Sequence, residues 1–176
     1  LFNEFGLHIF DVGISPINVG GLIVYVAKKH RQESKRLKEL RINEVRNKVN
    51  QFSSWENFSR RAYEHKEKLL KILVDARKKG AIVAYGASAR SSTLLNFCRI
   101  DGKTIEAIAD DNQLKHGFYT AGSHILIDQP EKVMKINPSF VFILAWNFVN
   151  EISDKLKNKF NYSGNLIIPL PKKPWI

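Results

Sequence analysis

The spacing of apolar residues changes several times along the second half of the chain, and each change predicts a new secondary-structure element. Short apolar runs alternate there with longer segments in which apolar residues recur at helical spacing. The predicted strands cover 81–86, 105–110, 124–127, 140–145 and 165–169, and the predicted helices cover 89–98, 130–135 and 148–160. Strands and helices that alternate over short links form a mainly parallel sheet with right-handed crossovers. The sequence therefore predicts an α/β domain over residues 80–176.

The first 28 residues follow a different pattern. Two apolar runs, at 7–12 and 22–26, are separated by residues that favour turns, and together they predict a terminal β-hairpin. Two strands alone bury too little apolar surface to be stable. Residues 1–28 are therefore expected to be the last strands of a larger sheet, and the chain, which begins with Leu1 instead of Met, is expected to be part of a longer protein.

Residues 29–79 predict a helical connector made of two helices. The apolar positions of the first helix are Leu37, Leu40, Ile42, Val45 and Val49. The second helix is expected to begin at a capping box formed by Ser53 and Glu56. Gly80 is expected to end it in the left-handed conformation.

The net charge of +11 belongs almost entirely to this connector. Between Lys28 and Lys79 there are 17 Lys and Arg residues against 7 Asp and Glu residues, so the α/β part is nearly neutral. A solvated, lysine-rich helical surface is the simplest interpretation. The alternatives are a face that binds nucleic-acid phosphates, or one that binds an acidic partner or a membrane surface. Acidic residues interrupt the basic ones, so specific nucleic-acid binding is not expected.

The residue types and their spacing do not support several other classes of protein. The chain has one cysteine, Cys98, which cannot form an internal disulfide and fits a cytoplasmic location. Its five histidines lack metal-ligand spacing, so no metal site is predicted. No apolar run reaches the ~20 residues of a membrane span, and no catalytic Ser/His/Asp or Cys/His arrangement stands out.

Polar and small residues follow three of the predicted strands. In open α/β sheets, ligands bind beyond the carboxyl ends of the strands, where the strand order reverses. The first such segment, Gly86-Ala87-Ser88-Ala89-Arg90-Ser91-Ser92, leads from the first strand of this domain into its helix. Small residues allow the backbone to approach an anion, the helix N-terminus attracts it, and arginine pairs with phosphate. The turn thus predicts a nucleotide site in a Rossmann-like domain, with a tight β–α turn and an ordinary serine cap as the alternative.

The other two segments supply the remaining candidate residues. Asp110 and Asp111 end the second strand, 24 residues after Gly86, near the offset at which an acidic side chain meets a ribose hydroxyl. A capping role explains them equally well. Trp146 and Asn147 follow the buried fourth strand, where an indole and an amide can stack on and hydrogen-bond a base or sugar, or simply pack. The predicted substrate-binding residues are Gly86, Ala87, Ser88, Arg90, Ser91, Ser92, Asp110, Asp111, Trp146 and Asn147.

A series of short motifs extends beyond these sites and carries a resemblance. In order, they are Gly86-Ala87-Ser88-Ala89-Arg90, Thr93-Leu94-Leu95-Asn96, Asp110-Asp111-Asn112, Lys115-His116-Gly117, Gly122-Ser123-His124-Ile125-Leu126-Ile127, Trp146-Asn147-Phe148, Glu151-Ile152 and Pro169-Leu170-Pro171. Together they resemble the C-terminal domain of the sugar C-methyltransferase family, whose members use S-adenosylmethionine and act on nucleotide-linked deoxysugars. Residues 17–25 are similar to the last strands of that family's methyltransferase domain.

The resemblance implies a function and a place within a longer protein. By it, the chain is the C-terminal part of an S-adenosylmethionine-dependent methyltransferase, and its Rossmann-like domain helps bind the nucleotide-sugar substrate. The partner is then the methyltransferase domain of the same protein, and this chain alone is expected to be inactive and to bind no S-adenosylmethionine. No residue of the chain is assigned as the catalytic base. A non-catalytic module that binds a nucleotide or coenzyme is the alternative function.

Overall fold

The structure is a computed structural model that describes residues 1–15 and 21–170. The chain forms two compact units, Leu1–Arg60 and Arg61–Ile176. Two segments of the predicted resemblance, residues 17–20 and Pro171, lie outside the described residues. The assignment of residues 1–28, 29–79 and 80–176 to three regions with separate roles stays a prediction.

The first unit contains the predicted hairpin and one of the predicted helices. β1 (His8–Ser15) pairs with β2 (Gly21–Ala27) in antiparallel register. The helix α1 (Lys35–Arg46) is capped by Ser34, whose hydroxyl accepts a hydrogen bond from the Leu37 N–H. Because Arg36 and Ser34 both donate hydrogen bonds to Asp11, the pKa of its carboxyl falls to about 2. These contacts join α1 to β1.

The second helix of the connector begins and ends earlier than the pattern predicts. α2 spans Phe52–Arg77, so Ser53 lies inside its first turn and the predicted capping box at that residue is wrong. The left-handed stop at Gly80 is also wrong, because its φ is +159°. A Cβ at residue 80 would lie 2.0 Å from the Ser139 Oγ, so close packing explains this glycine.

A five-stranded parallel sheet forms the centre of the second unit and confirms the predicted α/β class. The strands are β3 (Ile82–Tyr85), β4 (Ile108–Ala109), β5 (Ile127–Asp128), β6 (Phe140–Ile143) and β7 (Asn165–Ile167). Their spatial order is β5-β4-β3-β6-β7, and every neighbouring pair is parallel. The strand predicted at 124–127 begins only at Ile127, because His124 takes a left-handed φ of 49°.

Helices cover both faces of this sheet. The second half of α2 and all of α3 (Ala89–Cys98) pack on one face, through residues that include Leu73 and Leu95. On the other face lie α4 (Pro130–Met134) and α5 (Val149–Phe160), which contribute Val133, Ile152 and Leu156. Alternate residues of β3 and β6 enter the two cores, so both strands are fully buried, as their unbroken apolar sequences predict.

Candidate functional site

The strand order of the second unit reverses between β3 and β6, which places their carboxyl ends at the point where such folds bind ligands. Gly86 follows β3 there, with a φ of +96°. A Cβ at this position would lie 2.5 Å from the Ala145 Cβ, just beyond the end of β6. Glycine is therefore required by the close approach of two segments of this chain, at the turn that leads from β3 into α3.

The next residues form a reciprocal serine cap at the start of α3. The Ser88 hydroxyl accepts a hydrogen bond from the Ser91 N–H at 3.2 Å, and the Ser91 hydroxyl accepts one from the Ser88 N–H at 2.6 Å. Ser91 is buried, Ser88 is exposed and Ser92 is half-buried. Two of the three predicted hydroxyl donors thus stabilise the turn itself, as the alternative interpretation of this segment expects.

The side chains of Arg90 and Trp146, from two of the predicted segments, approach each other at the end of the sheet. The Arg90 guanidinium carbon lies 5.9 Å from the centre of the Trp146 ring, within the range of a cation–π contact. Arg90 is exposed, while the half-buried Trp146 packs against the core of the second unit. Asn147 is exposed beside it. This arrangement offers an aromatic face, a cation and an amide within one small area.

Asp110 turns toward the glycine turn and is almost enclosed, with 8% of its surface exposed. Its carboxylate accepts hydrogen bonds from the Ala87 N–H at 2.7 Å and from the Asn112 N–H at 2.9 Å. Lys115 lies 3.1 Å from the same carboxylate and also donates to the Ala87 carbonyl at 2.6 Å. Asp110 therefore contacts the predicted phosphate turn directly.

Asp111, the next residue, makes its contacts elsewhere. Its carboxylate accepts hydrogen bonds from the Tyr85 hydroxyl, at 3.0 Å, and from the Lys155 ammonium of α5. Burial raises the pKa of the Tyr85 phenol to about 12. Burial alone would lower the pKa of Lys155, but its hydrogen bonds to Asp111 and Tyr85 raise it above the ordinary value. Adjacent carboxylates thus join two separate networks, one at the glycine turn and one at α5.

Sequence reasoning missed three residues of these networks. Lys115 occurs only within a motif of the resemblance, and Tyr85 reads as the last residue of a buried strand. Lys155 is 44 residues from Asp111 and carries no local signal. The signal that could have found Tyr85 is a polar hydroxyl at the carboxyl end of an otherwise apolar strand.

A parallel five-stranded sheet with helices on both faces, and a polar turn where its strand order reverses, defines a Rossmann-like domain. Residues 16–171 match the model of the family described as the C-methyltransferase C-terminal domain, and the chain belongs to that family. It is also 27% identical over 175 residues to the C-methyltransferase NovU of Streptomyces niveus. That alignment covers 98% of this chain and 42% of the relative, so the chain spans less than half of the relative's length. The family resemblance found in the sequence is confirmed.

The described residues lack the features of two other classes of site. Within residues 1–15 and 21–170, no group of histidine, cysteine or acidic side chains is arranged to hold a metal ion. In the same part of the chain, no helix combines the length and apolar character needed to cross a membrane.

Proposed function

We propose that this chain is part of an S-adenosylmethionine-dependent C-methyltransferase that acts on a nucleotide-linked sugar, and that its Rossmann-like domain helps bind the nucleotide. Membership of the C-methyltransferase C-terminal domain family supports the reaction class. The position of the Gly86 turn at the reversal of strand order supports the binding role, because parallel α/β sheets bind nucleotides there. A cytoplasmic location, suggested by the single cysteine, remains part of the same proposal.

The proposed reaction forms a carbon–carbon bond next to a carbonyl of the sugar. A base removes a proton from the carbon beside the carbonyl, and the resulting carbanion takes the methyl group of S-adenosylmethionine. The carbon–sulfur bond breaks at the same time, and its electron pair stays on sulfur, which leaves as a neutral thioether. No residue of this chain is assigned as the base, so the part played by this domain is to bind and orient substrate.

In this proposal, the nucleotide diphosphate lies at the turn that runs from Gly86 to Ser92. Arg90 pairs with a phosphate, and the first turn of α3 directs its positive end toward the same charge. Trp146 and Asn147 lie on the side of the site opposite this turn, where the ring stacks on the base and the amide hydrogen-bonds to base or sugar. Gly86, Ala87, Ser88, Ser91 and Ser92 shape the turn. Asp110 and Asp111 close the side next to β4.

The observation that carries the proposal is the approach of Arg90 to Trp146, because a cation and an aromatic face together recognise a nucleotide. Arg90→Ala is expected to weaken binding of dTDP or UDP about 10- to 100-fold, since a hydrogen bond to a charged group contributes roughly 1.5–3 kcal/mol. The melting temperature should change little, because the Arg90 side chain is exposed. Isothermal titration calorimetry and thermal melts measure the two quantities.

Arg99→Ala is a matched control, because Arg99 is an exposed arginine at the opposite end of the same helix. It should leave nucleotide affinity unchanged. Wild-type protein that binds neither dTDP nor UDP, or Arg90→Ala protein that binds like wild type, would contradict the site. Tighter binding of NAD or coenzyme A than of either nucleoside diphosphate would favour the non-catalytic coenzyme-binding module instead.

A further inference from the structure

We infer that Asp110 and Lys115 are positioning residues, an ion pair that sets the shape of the nucleotide turn without touching the ligand. The inference rests on the proposed function for the identity of the site. It changes the role expected for Asp110, whose distance along the chain from Gly86 suggests a contact with ribose.

The carboxylate of Asp110 has no room for a further hydrogen-bond donor. Oδ2 accepts from the Ala87 N–H at 2.7 Å and from Lys115 at 3.1 Å. Oδ1 accepts from the Asn112 N–H at 2.9 Å and from Lys115 at 3.3 Å. Each oxygen therefore has two donors, which match its two lone pairs. A ribose hydroxyl could bind here only by displacing one of them, and the carboxylate is nearly buried.

Lys115 completes the pair from a short 3-10 helix, Gln113–Lys115. Its ammonium donates to the Ala87 carbonyl oxygen at 2.6 Å as well as to Asp110. Asn112 caps this short helix by accepting from the Leu114 N–H, and the His116 Nε2 lies 2.7 Å from the Asp110 carbonyl oxygen. The lysine is thus held by a segment that is itself tied to the end of β4.

The consequence falls on one residue of the turn, Ala87, and on the two peptide units that flank it. Both backbone polar atoms of Ala87 are held by the ion pair, the N–H by the carboxylate and the carbonyl by the ammonium. Ala87 links Gly86 to the cap of α3, so the pair orients the N-terminus of the helix and Arg90 on its first turn. A turn held in its binding conformation before the ligand arrives reduces the ordering cost of binding.

The test compares Asp110→Asn, Lys115→Met and the double variant in the full 176-residue chain, with two measurements on each. The first is the amide proton of Ala87 by NMR, which needs no ligand. In wild type it should resonate downfield and exchange slowly, because its acceptor is charged. Asp110→Asn should move it upfield and speed its exchange, because the acceptor loses its charge, and Lys115→Met should change its chemical shift, because the carbonyl of Ala87 and the carboxylate of Asp110 both lose a donor. The second is titration with dTDP, which should bind about tenfold more weakly to each single variant.

The double variant separates positioning from contact. Because the two side chains act as one pair, removing both should weaken dTDP binding no more than removing one. Asp128→Asn is the matched control, since Asp128 is the last residue of the neighbouring strand β5 and its carboxylate pairs with Lys132 at 3.2 Å and accepts from the Gln129 N–H. That variant should change neither the Ala87 signal nor the affinity.

The outcomes distinguish this inference from the proposed function. If Asp110→Asn weakens dTDP binding while the Ala87 amide is unchanged, Asp110 contacts the ligand and the inference is wrong. An unchanged Ala87 amide in Lys115→Met also overturns it. If wild type binds no nucleotide, the proposed function fails, and the Ala87 measurement still decides whether the ion pair sets the turn.

Discussion

At the scale of single residues, the fold of the chain itself explains why residue 86 is a glycine. Its φ of +96° is a conformation that residues with a Cβ rarely adopt. The space on its side-chain position is filled by Ala145, so the glycine brings the ends of β3 and β6 together. The sequence predicts a glycine turn here, but attributes the glycine to the approach of an anion.

Gly86→Ala tests this explanation through stability. The left-handed conformation should cost an alanine roughly 1–2 kcal/mol, and the clash with Ala145 should add about 1–3 kcal/mol more. Chemical denaturation monitored by circular dichroism measures the loss. Gly117→Ala is the control, because Gly117 has a similar φ of +81° and nothing within 4 Å of its side-chain position. Equal losses in the two variants would show that the contact with Ala145 costs nothing.

At the scale of secondary-structure elements, α3 is the helix that local sequence predicts best. Its observed bounds, Ala89–Cys98, equal the predicted ones. The reason is that its start depends on two serines three residues apart, and their hydrogen bonds need no distant partner. α2 differs, because it begins at Phe52, before the predicted cap at Ser53, and its first turns carry the exposed residues Trp55 and Phe58.

The contribution of the α3 serine cap to the stability of the protein can be measured. Ser91→Ala removes the acceptor of the Ser88 N–H and half of the reciprocal cap, so it should destabilise the protein by about 1–2 kcal/mol. Thermal melts in parallel with denaturant titration measure this. Ser92→Ala, on the next residue of the same helix, should cost under about 0.5 kcal/mol. A Ser91→Ala protein as stable as the Ser92→Ala protein would contradict a stabilising role for the cap.

At the scale of the whole molecule, the positive charge is concentrated in one part of the sequence and the larger sheet lies in another. Most of the net charge of +11 lies between Lys28 and Lys79, while the proposed nucleotide site belongs to the nearly neutral α/β part. The described strands of the first unit, β1 and β2, form one two-stranded sheet. These strands are exposed or half-buried along most of their length: Val12 is the one buried residue among those of β1 and β2.

The 176-residue chain alone is therefore expected to bind S-adenosylmethionine with no measurable affinity and to transfer no methyl group. The physical reason is that cofactor pockets enclose most of the surface of their ligand, whereas the strands of the first unit are exposed or half-buried along most of their length. Calorimetry with S-adenosylmethionine, with dTDP as the positive control on the same sample, measures this. Binding at micromolar concentration would show that the chain carries a cofactor site of its own and would contradict the expectation.

The sequence by itself determined the α/β class, the order of strands and helices in the second unit, and the position of the glycine turn. These follow from apolar periodicity and from turn and cap residues, whose physical effects extend over a few neighbouring positions. The family resemblance likewise needed only the order of short motifs, and it is confirmed.

Only the tertiary structure decided what the polar residues at the sheet edge contact. Asp110 and Asp111 look equivalent in sequence, yet one binds Ala87 and Lys115 and the other binds Tyr85 and Lys155. The divergence arises because successive side chains at the end of a strand point to opposite faces of a sheet. The partners on each face come from helices and loops that are distant in the sequence. A local sequence pattern therefore does not predict them.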